Sequence, residues 1–219
     1  MIPGAPDITR LVEIITEADA RLLDVGSTVE LAPRGHITPL AADTLRDRRI
    51  TVSRADGREI VAGAPPADVR RVAVGSDHTG VALRRAIVAH LRAQGRAVDE
   101  SGAQGSEPVD YPDVAAVVAL AVSRGEADGG IVIDGAGLGS CMAANKVAGI
   151  RAAMCTTPTL ARYAREHNGA NVLTLGATLL STDAALAIVD TWLATPMTEP
   201  RYIRRLARIH RLETGGSAK

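Results

Sequence analysis

The chain is read as an α/β protein: a Rossmann-like three-layer αβα domain around a parallel sheet, preceded by a small α+β extension. Three observations lead there. From Arg71 onward, short apolar runs alternate with helix-period segments, the mark of βαβ units and a parallel sheet covered on both faces. An apolar run, "GGIVI", ends in Asp134 and enters a glycine-rich turn and then a helix. Chemistry-bearing residues fall just after the strands, where such sheets bind ligands.

The elements follow in order. "DITRLVEIITEADARLL" reads as a helix capped by Asp7, with Leu11, Ile14, Ile15, Ala18 and Leu22 on one face. "STVELA" reads as a strand. In "HITPLAADTLRDRRITVS", Thr38 is a cap and Pro39 the first helical residue, followed by a short helix and a strand. This part, residues 1–66, is short for burying a good core alone. "VAGAPPADVR", Val61–Arg70, is a linker by composition. The second part, residues 70–212, begins with the strand "RVAVGS" and a helix, "TGVALRRAIVAHLRAQG", that ends at Gly95. Then come "AVDESG" (strand), "YPDVAAVVALAVSRGEA" (helix), "GGIVIDG" (strand) and "SCMAANKV" (helix). "RAAMC" (strand), "TPTLARYAREHN" (helix), "NVLTLG" (strand) and "TDAALAIVDTWLA" (helix) complete the alternation. A basic helix, "RYIRRLARIHR", precedes a polar tail, residues 213–219, expected to be flexible.

Composition narrows the function classes. Of 219 residues, 46% are apolar, enough for a sizeable core. Aromatics are 2% with no Phe, which removes stacking platforms for single-stranded nucleic acid. Formal net charge is zero, so no field draws in a polyanion or a membrane surface. No apolar run approaches the roughly 18 residues of a membrane span, and the start of the chain lacks a signal-peptide pattern. Cys141 and Cys155 have no metal-ligand spacing with His and are expected to be reduced thiols in a cytoplasmic protein. No metal and no cofactor is expected.

Four stretches carry chemistry. "GSDHTG" sets Asp77 beside His78 at a strand end; the plain alternative is that Asp77 caps the next helix. "DGAGLGS", Asp134–Ser140, can form a nest of backbone N–H groups that holds an anion, though glycine turns are often only structural. It is neither a P-loop nor a dinucleotide fingerprint. "REHNGAN" brings His167 to a helix C-terminus, where a capping or solvated role is the alternative. Arg201, Arg205 and Arg208 share a helix face and suit a phosphate, or form a solvated basic face.

The ordered motifs "GSDHTG", "VDYPDVA", "GIVIDGAGLGSCMAANKVAGIRAA", "AREHNGANVLTLG", "IVDTWLAT" and "RYIRRLARI" resemble the type B ribose-5-phosphate isomerases, grouped with galactose-6-phosphate isomerase. The likeness spans about Arg71 to Arg211. It implies a cofactor-free aldose–ketose isomerase that opens a sugar phosphate and shifts a proton between C1 and C2 through a cis-enediolate. It also implies a homodimer, or a tetramer, with active sites shared between subunits. By motif, Asp77, His78 and Tyr111 would line the sugar site. His167 would open the ring, Asn168 would contact the sugar, and Arg201 and Arg205 would bind phosphate. The backbone of Gly135, Gly137, Leu138 and Gly139 would stabilise the enediolate.

The chain departs from that pattern at the centre of the chemistry. Asp134 stands where most relatives have a base-forming Cys, and Ala136 where they have Thr. Ala177-Thr178 replaces Gly-Arg, Tyr202 replaces His, and Thr157 replaces Asp. A carboxylate at a strand tip is a usual base for a proton α to a carbonyl, so Asp134 is expected to take that role. The open alternatives are an isomerase for another tetrose or hexose phosphate, and a non-catalytic sugar-phosphate-binding or scaffolding subunit. In the extension, "HITPLAADTLRDRRI" is similar to stretches in proteins of bacterial microcompartments, which implies association with such a shell; an intramolecular cover or a dimer extension is the alternative.

Overall fold

A computed structural model describes residues 12–54 and 68–213, and the chain divides into two compact units, Met1–Ala64 and Pro65–Lys219. In the first unit, strands and helices alternate: β1 (Val12–Ile15), α1 (Glu17–Leu22), β2 (Thr28–Ile37), α2 (Pro39–Asp47) and β3 (Thr51–Arg54). The strands pair in parallel in the order β1-β2-β3. Val12–Ile15 is thus a strand and not the first turns of a long helix. Ile15 pairs with Ile37, and Thr16 starts α1 anew by a capping box with Asp19. Asp7 and Leu11 lie outside the described residues. Thr38 caps α2 from Pro39 as expected, its hydroxyl accepting from Ala41 N–H. Ile15, Val29, Leu31, Leu45, Ile50 and Val52 form the centre of a separate apolar cluster, so this short unit does bury a core of its own.

The second unit runs β4 (Arg71–Ser76), α3 (Val81–Ala93), β5 (Ala97–Gly102), α4 (Tyr111–Ser123), β6 (Gly129–Asp134), α5 (Leu138–Ala144), β7 (Ala152–Met154), α6 (Pro158–Asn168), β8 (Val172–Gly176), α7 (Thr182–Ala194) and α8 (Pro200–Glu213). Its five strands are all parallel, in the order β5-β4-β6-β8-β7. β6 is central and buried along its whole length, which explains its unbroken apolar run. On one face α3, α6 and α7 pack over Val72, Val74, Ile131, Ile133, Leu173 and Leu175. On the other, α4 and α5 cover Ala73, Val132 and Val172. Trp192 of α7 lies so close to Gly129 that a Cβ there would sit 2.9 Å from its ring. α8 continues through Glu213, whose carboxylate accepts from Gly149 N–H at 2.7 Å, so that residue belongs to the helix and not to the tail.

One backbone position positions the site. Gly102 ends β5 at φ +90°, and a Cβ there would collide with the carbonyl oxygen of Ser76, the residue before Asp77. Gly102→Ala is expected to cost about 2 kcal/mol or more, from left-handed strain and the clash. A thermal or denaturant melt checks this; an unchanged melt would contradict it.

Candidate active site

The carboxyl ends of β4 and β6 lie side by side. Asp77 follows β4, and its Oδ1 accepts from Thr79 N–H (2.9 Å), Thr79 Oγ1–H (2.6 Å) and Gly80 N–H (3.1 Å). Asp77 therefore closes the turn into α3, as the capping alternative has it, and Oδ2 receives no donor from the described residues. His78, next along, is exposed, and its Nδ1 accepts from Val109 N–H at 3.4 Å. A Cβ on Gly80 would meet Ile133 of β6 at 2.7 Å, so the β4 corner rests directly on the β6 tip.

Asp134 is the last residue of β6 and only 4% exposed. Its carboxylate turns back into the loop that follows. Oδ1 accepts from the N–H groups of Ala136 (2.8 Å) and Gly137. Oδ2 accepts from Ser140 N–H (2.9 Å) and from the Ser140 hydroxyl (2.5 Å). These four donors match the roughly four lone-pair positions of a carboxylate. The anion nest expected of this turn is real, and the anion in it is the protein's own Asp134. Gly137 permits the geometry by adopting φ +78°, with Leu175 too close behind it for a Cβ.

The turn is held from β8 as well. Thr174 Oγ1 donates to Gly137 O (2.8 Å), and Thr178 Oγ1 donates to Gly135 O (2.6 Å). Thr178, at the position implied to carry a phosphate-binding Arg, thus spends its hydroxyl on the loop. Leu138 and Gly139, the first residues of α5, have N–H groups with no acceptor among the described residues. Tyr111, at the start of α4, lies against Gly139: a Cβ there would sit 2.5 Å from the Tyr111 ring. Asp77, His78, Tyr111, Asp134, Gly135, Gly137, Leu138 and Gly139 therefore gather at one end of the sheet.

His167, Asn168, Arg201 and Arg205 belong to a second group. His167 is in the last turn of α6. Its ring stacks on Tyr163 (centroids 4.7 Å apart) and meets Tyr202 of α8 at 4.3 Å, with Glu166 Oε1 3.8 Å from Nε2. Asn168 Nδ2 donates to Tyr163 O at 3.3 Å. Arg205 is exposed, its guanidinium 5.7 Å from the Tyr202 ring centre, and Arg201 is in the first turn of α8.

Within one chain the two groups are apart. α6 ends at Asn168 and the chain re-enters the sheet at Val172, which pairs with Gly130 at the start of β6. Asp134, at the other end of β6, pairs with Gly176. Four residue steps along a strand separate those levels by about 13 Å. Helices in a parallel α/β unit return against the strand direction, so a helix C-terminus lies at the end opposite the strand tips.

Neither thiol occupies the place of Asp134. Cys141 Sγ donates to Ala152 O at 3.3 Å, toward β7. Cys155 is buried beyond β7, where burial and the neighbouring Cys141 push its thiol up to about 12. Cys155 is expected to resist a disulfide reagent near neutral pH until the protein unfolds; labelling in the native state would contradict this. Among the described residues, no group of three or more His, Cys, Asp or Glu is placed to hold a metal ion. Among them too, no helix is long and apolar enough to cross a membrane.

Comparison with known proteins bears directly on this arrangement. The sequence profile described as Ribose/Galactose Isomerase matches residues 72–209. The ribose-5-phosphate isomerase B of Escherichia coli is 44% identical over 145 residues, 66% of this chain and 97% of that protein. The structure of ribose-5-phosphate isomerase B from Clostridium thermocellum superposes with a TM-score of 0.65 at 48% identity, covering 66% of this chain and 98% of that one. The Mycoplasma genitalium enzyme, solved with bound ribulose-5-phosphate, gives a TM-score of 0.63 at 38% identity, over 66% and 96% of the two chains. The matched residues 72–209 lie within the second unit. The chain belongs to the ribose/galactose isomerase family of aldose–ketose isomerases.

Proposed function

We propose that this protein interconverts ribose 5-phosphate and ribulose 5-phosphate through a cis-enediolate, with Asp134 as the base. The observation that carries the reading is a buried carboxylate, fixed by its own turn, at the carboxyl end of the central strand. Asp134 takes the proton from C2 of the open aldose. The C–H electron pair forms the C1–C2 double bond, and charge moves to O1. The N–H groups of Leu138 and Gly139, which have no acceptor among the described residues, are the donors left for that oxygen. Return of the proton to C1, with the hydroxyl proton of O2 passing to O1, gives the ketose. His167 opens the ring by moving a proton from the anomeric hydroxyl to the ring oxygen. Arg201 and Arg205 hold the phosphate, and Asn168 with Asp77, His78 and Tyr111 holds the sugar.

This reading requires a second copy of the chain. The end separation of the two residue groups supports a homodimer in which each site takes Asp134 from one subunit and His167 from the other. Leu138 and Met142 of α5, with Val117 and Leu120 of α4, leave exposed apolar surface next to the Asp134 group, and four such side chains suit burial in an interface.

The direct test is formation of ribulose 5-phosphate from ribose 5-phosphate by the purified protein. Turnover of another aldose phosphate in its place would move the substrate assignment and keep the reaction class. A second reading, binding of sugar phosphate without turnover, is favoured by the saturation of Asp134 with four donors. Binding with no turnover of any aldose phosphate would select it.

The N-terminal unit is read as an association module, on the similarity of residues 36–50 to microcompartment proteins. Deleting Met1–Pro66 is expected to leave isomerase activity and change partner association; lost activity in a folded variant would place the unit in the site's support.

A further inference from the structure

The geometry points to Ser140 as the residue that governs Asp134. This rests on Asp134 being the base. Of the four donors on the carboxylate, three are backbone N–H groups fixed by the turn and by the start of α5. The fourth, the Ser140 hydroxyl, is on a rotatable bond, 2.5 Å from Oδ2. Ser140 is itself fully buried, so its hydroxyl has no competing water.

A carboxylate with all its lone-pair positions engaged has none to offer a C–H bond. The amides cannot turn away without unmaking the loop. The hydroxyl can, and its rotation opens a lone pair on Oδ2. Once Oδ2 carries the substrate's proton it is a weaker acceptor, and the hydroxyl oxygen can itself accept. Ser140 thus satisfies the buried carboxyl in its charged state and releases it for proton transfer, which makes it a positioning residue and not a second base.

The titratable groups at that end of the packed elements are Asp77 and His78 beyond β4, Asp110, Tyr111 and Asp113 at the start of α4, Cys141 on α5 and Cys155 beyond β7; Arg71 is at the far end of β4, and β8 brings none. Among the described residues no cation pairs with Asp134, so its charge is met by these hydrogen bonds alone.

The test is Ser140→Ala, which deletes only the hydroxyl, with Ser140→Thr as the variant that keeps it. Removing a donor from a carboxylate makes it a stronger base. The acidic limb of the kcat/KM profile is expected to rise by about one pH unit in Ser140→Ala and to stay in place in Ser140→Thr. Carbon-13 NMR of the Asp134 carboxyl in the substrate-free dimer should show its titration moving in the same direction. If the NMR titration moves and the rate profile does not, Asp134 is not the base and the proposal falls with that reading. If neither moves while Asp134→Asn is inactive, Asp134 remains the base and the role of Ser140 is overturned. A shift in Ser140→Thr equal to that in Ser140→Ala would also overturn it, because loss of packing would then explain both.

Discussion

Asp134→Asn is expected to lower kcat by about a thousandfold while leaving sugar-phosphate affinity within a few fold, the effect of removing a general base. The substitution is nearly isosteric, and Asn Oδ1 can still accept from Ala136 and Gly137 N–H. Its amide NH₂ faces Ser140, where the hydroxyl can switch from donor to acceptor but the backbone N–H loses its partner. That orphaned donor costs about 1–3 kcal/mol, so a melt and a binding isotherm must accompany the kinetics. Wild-type kcat in a folded Asp134→Asn protein would remove the base assignment.

His167→Ala and Asp134→Asn are each expected to be inactive, yet to recover about a quarter of wild-type activity when equal amounts are unfolded together and refolded. In a randomly mixed homodimer half the molecules are hybrids. Each hybrid has one site with an intact Asp134 from one subunit and an intact His167 from the other, and one site with neither. The expectation follows from the separation of about 13 Å or more between the level of His167 and that of Asp134 in a single chain. No recovery, with hybrids shown to form by mass spectrometry, would mean that each chain carries its whole site.

Much of this was legible in the sequence because local and global signals agree. The second unit alternates strand and helix from β4 to α7, and each predicted strand from "RVAVGS" to "NVLTLG" enters the five-stranded sheet. Val12–Ile15 misleads because Leu11, Ile14, Ile15 and Ala18 fit a helical period equally well. Pairing of Ile15 with Ile37 decides the matter, and Thr16 with Asp19 three residues later was the available sign of a helix start inside that stretch. The turn after β6 was legible as an anion nest, but not that Asp134 fills it. That needs the loop to fold back so that residues 134 and 140 meet, and no spacing rule announces a contact made by a turn with a left-handed Gly137. The two-ended distribution of site residues was implicit in the topology, since His167 closes a helix and Asp134 closes a strand. Thr178 illustrates the limit: its sequence shows only that a cation is missing, and the structure adds that its hydroxyl braces Gly135.

The central claim is proton transfer at C2 of an aldose phosphate by Asp134. Its most direct measurement is proton NMR of ribose 5-phosphate and a panel of other aldose phosphates in D₂O with the wild-type protein and Asp134→Asn. The account predicts loss of the C2 proton signal and appearance of ketose with the wild type, and neither with the variant. Binding of the sugar phosphates with no exchange in the wild type, or exchange that persists in Asp134→Asn, would contradict it.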